Sequence, residues 1–312
     1  MKKYLLFLAT ICVAMINTSC SSEEVPPVTP DDSSIVYDEP PYSDEAVRFE
    51  IENGDISAEE GDGNLTGINI TEYGRAVIEV TTDDGVTFAT YDVEFNSNVY
   101  TISDSNNNGV KVGLVQYSGS RATEYGRLVV DLKVTIKDKT YTFIAPEPGV
   151  PVKKITPDDN STRTKNVART WVVPSMNLVL EGDVNVSKLE RSGNLKVFAD
   201  EANNAGADLS EDDYVKLCKA IKTITIDRNG MFAMEFDNNT TEVCMWKWAS
   251  EEKNVLSLTK LKNTEFGNKF LPDDSEITVN FTENSVALTL QTDISDNKDY
   301  TATLTFVLNE KK

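Results

Sequence analysis

Apolar residues in the first half of the chain recur at every second position, with polar residues between them. They form four runs: Ala76, Ile78 and Val80; Tyr91, Val93 and Phe95; Leu128, Val130, Leu132, Val134 and Ile136; and Tyr141 and Phe143. A period of two is typical of β-strands that bury one face. Turn-forming residues such as Asp83, Asp84 and Gly85 separate the runs. The pattern predicts an antiparallel β-sandwich over residues 46–145.

The second half shows the same alternation over a longer series of strands. Its apolar positions are Trp171; Phe232, Met234 and Phe236; Cys244, Trp246 and Trp248; Leu256 and Leu258; Ile277, Val279 and Phe281; Val286, Leu288 and Leu290; and Tyr300, Ala302, Leu304, Phe306 and Leu308. A meander of about eight such strands is most simply closed into an up-and-down β-barrel, which removes exposed edges. We therefore expect an all-β chain with a barrel over residues 167–312.

A short helical insertion is expected between the first and second strands of this barrel. Ser210 is placed to cap a helix, with Asp213 three positions further on. Tyr214, Leu217, Cys218 and Ile221 would then lie on one apolar stripe.

Residues 146–166 interrupt the alternation. The segment contains Pro146, Pro148, Pro151 and Pro157, followed by the polar stretch 158–162. Proline removes a backbone donor and fits poorly inside helices and sheets. We interpret these residues as a linker without helix or strand, which divides the chain into two domains.

The second half also resembles a known family. An early strand with Trp171, an intervening helical region, and a meander containing Met245-Trp246-Lys247-Trp248 are similar to the lipocalin-like domains of secreted Bacteroidetes lipoproteins. The resemblance covers roughly residues 166–312. It implies a binding scaffold and names no ligand.

The first residues have the layout of a secretory signal. Lys2 and Lys3 precede an uncharged apolar run, Tyr4 to Ile16, that is too short to span a bilayer. Small and polar residues then lead to Cys20, as in the lipobox cut by the lipoprotein signal peptidase. We predict a signal peptide over 1–19 and a lipid on Cys20 that attaches the chain to a membrane.

The segment after Cys20 is acidic and rich in proline. Ser21-Ser22-Glu23-Glu24 resembles the tag that Bacteroidetes use to export lipoproteins to the outer face of the outer membrane. A segment of this composition buries little apolar surface, so residues 20–45 are expected to form a disordered tether. The cell surface is the predicted location, with the periplasmic face as the alternative.

Charge and composition exclude several classes of function. The chain carries 51 acidic residues against 30 basic ones, a formal charge of −21, which opposes binding to nucleic acid. It has no histidine, so it lacks the commonest general base and transition-metal ligand. No nucleotide-binding or serine-hydrolase motif is present. We predict a protein that is not an enzyme and has no cofactor.

Four further features are candidate sites, each with a structural alternative. Thr71-Glu72-Tyr73-Gly74-Arg75 recurs as Thr123-Glu124-Tyr125-Gly126-Arg127, either as a duplicated ligand site or as two equivalent turn-and-strand units. Trp246 and Trp248 share one strand face and could form a ligand platform or fill a core.

The two remaining candidates are a disulfide and a calcium loop. Cys218 and Cys244 could form a disulfide after export, or remain separate core residues. Asp104, Asn106 and Asn108 match the first half of a calcium loop, but Val115 stands where the closing glutamate belongs, so a tight turn is the other interpretation.

These observations favour a non-enzymatic surface lipoprotein that captures an extracellular glycan or small apolar molecule. The first alternative is an accessory lipoprotein that binds another protein of an outer-membrane assembly. The second is an unrecognised hydrolase.

Overall fold

The structure, a computed structural model, describes residues 35–104, 107, 109–120, 122–181, 186–190, 196, 200, 211, 220–260, 275–293 and 301–311. The strands are β1 (Val47–Glu50), β2 (Ala58–Glu60), β3 (Asn64–Ile70), β4 (Arg75–Thr82), β5 (Gly85–Asn96), β6 (Val99–Asp104), β7 (Val110–Ser118), β8 (Tyr125–Ile136), β9 (Lys139–Ile144), β10 (Val150–Ile155), β11 (Thr170–Glu181), β12 (Val186–Glu190), β13 (Ile221–Ile226), β14 (Met231–Phe236), β15 (Thr241–Ser250), β16 (Val255–Lys260), β17 (Ser275–Phe281), β18 (Ser285–Asp293) and β19 (Thr301–Glu310). A 3₁₀ helix spans Ser43–Glu45, and the helix α1 spans Thr162–Val167. The predicted all-β fold class is confirmed.

Eight of the first ten strands close one antiparallel ring. β3 to β8 pair in sequence, β10 pairs with β8, and β1 closes the ring between β10 and β3. Further along its length, past the residues that pair with β10, β8 pairs with β9. The other edge of β9 pairs with β2. The two faces of the predicted sandwich are thus joined by hydrogen bonds at both edges, and we call this unit the first ring.

Residues 146–166 differ from the prediction of a segment without helix or strand. Val150–Ile155 is the strand β10, in which Pro151 lies opposite Arg127 of β8. Thr162–Val167 is the helix α1, whose N-cap Ser161 accepts a hydrogen bond from the Thr164 amide. That prediction is wrong because the proline-rich segment gains partners from distant strands, which composition does not reveal.

The later strands form a second ring. β13 to β19 pair in sequence as an up-and-down meander, and β11 closes the ring between β19 and β13. The ring is not a regular barrel. β11 pairs with β13 through Thr170–Val172 and with β12 further along, through Met176–Leu180. Its register with β19 also shifts between Val172 and Ser175, around Pro174, which has no amide hydrogen to donate.

The interior of each ring is occupied by apolar side chains of the described residues. Phe49, Ile78, Ile102, Val130 and Phe143 are among those of the first ring. The second ring contains, among others, Trp171, Ile224, Phe236, Leu256 and Leu308. Alternation along each strand therefore places its apolar set inside the ring.

The N-terminal segment is ordered earlier in the chain than predicted. Tyr37 donates its hydroxyl hydrogen toward the carbonyls of Thr282 (2.5 Å) and Ser285 (2.8 Å), and its ring packs edge-on against Trp171. The Asn166 side chain bonds to Ile35 and Tyr37. The predicted disordered tether, 20–45, is thus wrong for residues 35–45, because the apolar Tyr37 docks on the second ring.

Two other predictions concern the helical insertion and the signal peptide, of which the structure describes few residues or none. Glu211 is helical, as predicted for the insertion, but Tyr214, Leu217 and Cys218 lie outside the described residues. Ile221, which was assigned to the helical stripe, instead begins β13. The signal peptide and Cys20 also lie outside the described residues. Among those that are described, no helix is long and apolar enough to cross a membrane.

Candidate functional site

Tyr73 and Arg75, from the first copy of the repeated segment, lie where the two rings meet. The Arg75 guanidinium is buried and donates one hydrogen bond to Asp92 on its own ring and another to Glu235 of β14, at 2.7 Å. Glu235 is also buried and accepts hydrogen bonds from Thr223 (3.0 Å) and Lys222 (3.4 Å). Arg75 therefore links the rings, and we call the contact surface between them the inter-ring interface.

An apolar centre lies beside this ion pair. It consists of Val77 and Phe88 from the first ring, and Met231, Ala233 and Val243 from the second. These side chains point away from the interior of their own ring. Strands β14 and β15 are therefore apolar on both faces because one face fills the ring and the other forms the inter-ring interface.

A buried polar cluster flanks the apolar centre. Asn69 of β3 donates a hydrogen bond to the Asp227 carboxylate, and Arg228 donates one to Glu72. The Met231 amide donates to the other Asp227 oxygen at 2.8 Å. Such a network fixes the relative position of the rings, because removing one member leaves a buried polar group without its partner.

Burial raises the pKa of the Asp227 carboxyl from its ordinary 3.8 to about 7, although the hydrogen bonds from Met231 and Asn69 oppose the shift. The negative charge of Glu72 adds to the increase, and Arg48 counteracts it. Because the folded pKa lies above the unfolded one, the stability contributed by the protonated group is fully present below pH 4 and is lost as the pH rises to about 7.

We expect Asp227→Asn to remove this pH dependence. The amide keeps an oxygen for the Met231 amide, and the Asn69 side chain can rotate to accept its hydrogen. The variant should gain stability relative to the wild type between pH 5 and pH 8, by about 3 kcal/mol at most. Urea denaturation of both proteins at the two pH values measures the difference. If the stability difference between the variant and the wild type were the same at pH 5 and pH 8, the titration of Asp227 would be contradicted.

Tyr73 is held at the edge of the inter-ring interface by Arg169. The Arg169 guanidinium lies 5.4 Å from the centre of the Tyr73 ring and 5.0 Å from that of Tyr37, and it pairs with Glu310 at 2.6 Å. Burial raises the pKa of the Tyr73 hydroxyl, the positive charge of Arg169 notwithstanding. Tyr73 thus contributes to the packing of two rings and the N-terminal segment.

The second copy of the repeat has different surroundings. Tyr125 is 66% exposed, and Arg127 is exposed and donates hydrogen bonds to the carbonyls of Pro148 (3.2 Å) and Gly149. In the first ring three strands separate β4 from β8 in either direction. The two copies are therefore not brought together into one site.

Trp246 and Trp248 lie against the core of the second ring. Trp246 is only 6% exposed, and its indole nitrogen donates to the Asp227 carbonyl at 2.8 Å. Trp248 is half-buried and donates to the Thr164 hydroxyl of α1 at 2.7 Å. The two indole side chains contact each other edge to face, with their centroids 5.9 Å apart. They do not form an open platform at the surface.

The remaining predicted sites are only partly covered by the structure. Asp104 accepts a hydrogen bond from Asn107 at 2.7 Å, whereas Asn106 and Asn108 lie outside the described residues. Within the described ranges, no group of three acidic or cysteine side chains is arranged to hold a metal ion. Cys244 is buried in β15, and Cys218 lies outside the described residues, so both the calcium site and the disulfide stay predictions.

A polar cleft at one end of the first ring escaped sequence reasoning. It has a volume of about 360 Å³ and is open to solvent. Its polar side chains are Ser57, Asp62, Asn64, Thr81, Thr82 and Asp83. They come from the segment that leads into β3, up to its first residue Asn64, and from the β4–β5 hairpin, and the two adjoin because Asn64 pairs with Thr81.

Glycine shapes the floor of this cleft. Gly61 has a φ of +92°, and a Cβ there would lie 3.1 Å from a ring carbon of Tyr141. A Cβ on Gly63 would approach the same ring to 3.1 Å. The two glycines let the backbone lie directly on the buried Tyr141 ring, which supports the loop that lines the cleft.

Comparison with known proteins gives no family assignment. No family model and no curated protein matches the chain. Among solved structures, a mutant of transferrin binding protein B from Haemophilus parasuis Hp5 is 9% identical, with 86% of this chain and 76% of that chain covered and a TM-score of 0.23. The isotype 1 protein of that name from serogroup B Neisseria meningitidis is 11% identical, with 80% and 52% covered and a TM-score of 0.20. A porin-like protein from Bacteroides uniformis ATCC 8492 is 11% identical, with 88% and 99% covered and a TM-score of 0.18.

Proposed function

We propose that this chain is a non-enzymatic, lipid-anchored binding protein that holds a neutral glycan in the cleft of its first ring. The observation that carries the proposal is the lining of that cleft, whose residues carry hydroxyl, amide and carboxylate groups around an open volume of about 360 Å³. Ligand sites in proteins typically have volumes of roughly 300–1,000 Å³.

The lining suits a ligand rich in hydroxyl groups. Carboxylates such as Asp62 and Asp83 accept hydrogen bonds from sugar hydroxyls. The Asn64 Oδ1 accepts a hydrogen bond from Ser57 at 2.8 Å, which orients the amide, and its Nδ2 is a donor suited to a sugar oxygen. An apolar ligand would displace water from the exposed Asp62 and Asp83 carboxylates without replacing its hydrogen bonds, which costs free energy. The cleft therefore favours a glycan over the small apolar molecule that was the other predicted ligand.

Charge narrows the class of glycan further. Of the described residues that line the cleft, two are carboxylates and none is lysine or arginine. The chain as a whole carries a formal charge of −21. Sialylated and sulfated glycans would be repelled by the carboxylates of the cleft and by the net negative charge of the chain, so neutral oligosaccharides fit best.

The second ring supports this site mechanically. The inter-ring interface fixes the first ring to the second, and the N-terminal segment docks on the second ring through Tyr37. A lipid on Cys20 would tether the chain to the membrane through the N-terminal segment that docks on the second ring. The inter-ring interface would then hold the first ring, with its cleft, in a fixed position. The proposed location is the cell surface, from the acidic residues that follow Cys20.

The cleft can be tested with matched pairs of neighbouring carboxylates. We expect Asp62→Ala and Asp83→Ala each to weaken binding of a neutral oligosaccharide at least about tenfold, since a hydrogen bond to a charged group contributes ~1.5–3 kcal/mol. Glu60→Ala and Asp84→Ala change exposed carboxylates next to the cleft lining and should leave affinity unchanged.

The measurement is calorimetric titration with oligosaccharides chosen from an array of defined neutral, sialylated and sulfated glycans. Selective binding of neutral glycans that is lost in Asp62→Ala and Asp83→Ala supports the proposal. An array without bound neutral glycans, or equal effects of all four variants, would rule the cleft out as the site.

A further inference from the structure

The outer face of β4 is repeated, residue by residue, on the outer face of β8. Ala76, Ile78 and Val80 point into the first ring, and so do Leu128, Val130 and Leu132 of the second copy. The residues between them therefore point outward. They are Arg75, Val77 and Glu79 on β4, and Arg127, Val129 and Asp131 on β8.

The likeness extends to the neighbouring strands. Phe88 lies opposite Glu79, and Ile144 lies opposite Asp131. On the other side, Asn69 lies opposite Val77, and Gln116 lies opposite Val129. Each face thus combines an arginine, a valine, an acid, a large apolar residue and a carboxamide in the same arrangement. We call Asn69, Arg75, Val77, Glu79 and Phe88 the docked face, and Gln116, Arg127, Val129, Asp131 and Ile144 the open face.

The two faces differ in what covers them. The second ring covers the docked face, where Arg75 reaches Glu235 and Phe88 packs against Met231, Ala233 and Val243. On the open face Gln116, Arg127 and Asp131 are exposed, and Ile144 is 47% exposed. The open face therefore repeats the chemistry of a surface that already binds a β-sheet within this molecule.

We propose that the open face binds the open face of a second copy of this chain around a two-fold axis through Val129. Arg127 and Asp131 lie two residues to either side of Val129 on the same strand face. A two-fold axis at Val129 therefore brings Arg127 of each copy opposite Asp131 of the other. In this dimer, Asp131 of the second copy takes the part that Glu235 plays for Arg75.

Charge complementarity selects a second copy over the other sheet surface available in this chain. The matching surface of β13 to β15 is already covered by the docked face in every molecule. Arg127 also lacks the in-ring carboxylate that Arg75 has in Asp92, because the residue opposite it on β10 is Pro151. It bonds instead to loop carbonyls, which do not neutralise its charge. A carboxylate supplied across the interface satisfies this guanidinium.

The test is the sedimentation of the full mature chain, made without lipid by Cys20→Ala. We expect the wild-type chain to dimerise at micromolar concentration, and Arg127→Asp and Asp131→Arg each to shift it to monomer. The double variant Arg127→Asp, Asp131→Arg restores both pairs and should regain the dimer. Glu94→Arg and Lys139→Asp are charge-matched controls at exposed positions away from the axis and should not change the association.

Two results would overturn the proposal. One is a wild-type chain that stays monomeric at the highest attainable concentration. The other is a dimer that survives both single charge reversals, with melting temperatures showing that all variants are folded.

Discussion

Trp246→Ala is expected to lower the free energy of unfolding by ~3–5 kcal/mol. Trp246 is 6% exposed in the core of the second ring, and its indole donates a hydrogen bond to the Asp227 carbonyl. Alanine leaves a cavity that the neighbouring strands fill only in part, and it leaves that carbonyl without its indole donor. Urea denaturation monitored by circular dichroism measures the loss.

Trp248→Ala is the matched comparison on the same strand face. Trp248 is half-buried and bonds to Thr164 of α1, so its loss should cost roughly half as much. If both replacements left stability within about 0.5 kcal/mol of the wild type, the scale of a surface change, the core assignment of this strand would be wrong.

Arg75→Met should be the most damaging change at the inter-ring interface. It removes the bonds to Asp92 and Glu235 and leaves Glu235 buried with Lys222 and Thr223 as its remaining partners. Breaking a buried pair by removing one partner typically costs ~3–5 kcal/mol, because the other charge stays buried. Chemical denaturation of the variant gives this cost.

The repeat supplies the control for this experiment. Arg127→Met removes the equivalent arginine from the open face, where the side chain is exposed and bonds to two loop carbonyls. At protein concentrations low enough to keep the chain monomeric, its cost should be at most about 1 kcal/mol. A double-mutant cycle of Arg75→Met with Glu235→Gln then isolates the coupling between the rings. Equal costs for Arg75→Met and Arg127→Met would contradict the role of Arg75 as a link.

The sequence pattern was sufficient for the strands because alternation is a local signal. Ala76, Ile78 and Val80 point into the first ring, as their spacing predicts, and the same holds for Leu128, Val130 and Leu132. The strand β10 was missed because it depends on ladder partners in β1 and β8, while Pro151 by itself disfavours a strand. Composition describes a segment, and pairing depends on segments far away in the chain.

The inter-ring interface lies beyond local sequence reasoning for a similar reason. Two copies of one five-residue segment have the same local sequence, yet Arg75 is buried against Glu235 and Arg127 is exposed. The difference in burial between the two arginines depends on Glu235, which lies 160 positions after Arg75 in the chain. One local clue does exist, since Val243 and Met245 make the outer face of the Trp246 strand apolar as well, which indicates a strand covered on both sides.

The cleft could not be found from sequence because its residues read as turns. Gly61, Asp62 and Gly63 form a common loop composition, and Asp83-Asp84-Gly85 is a usual hairpin turn. Only the pairing of β3 with β4 brings the two turns side by side. The lipocalin-like resemblance directs attention to the second ring, whereas the cleft lies on the first.

Hydrogen–deuterium exchange of the full mature chain, with and without a bound neutral oligosaccharide, tests the central claim most directly. The cleft predicts slower exchange in peptides covering residues 55–66 and 79–86, with little change elsewhere. Protection confined to peptides from residues 167–312 would contradict it and would place the ligand in the second ring.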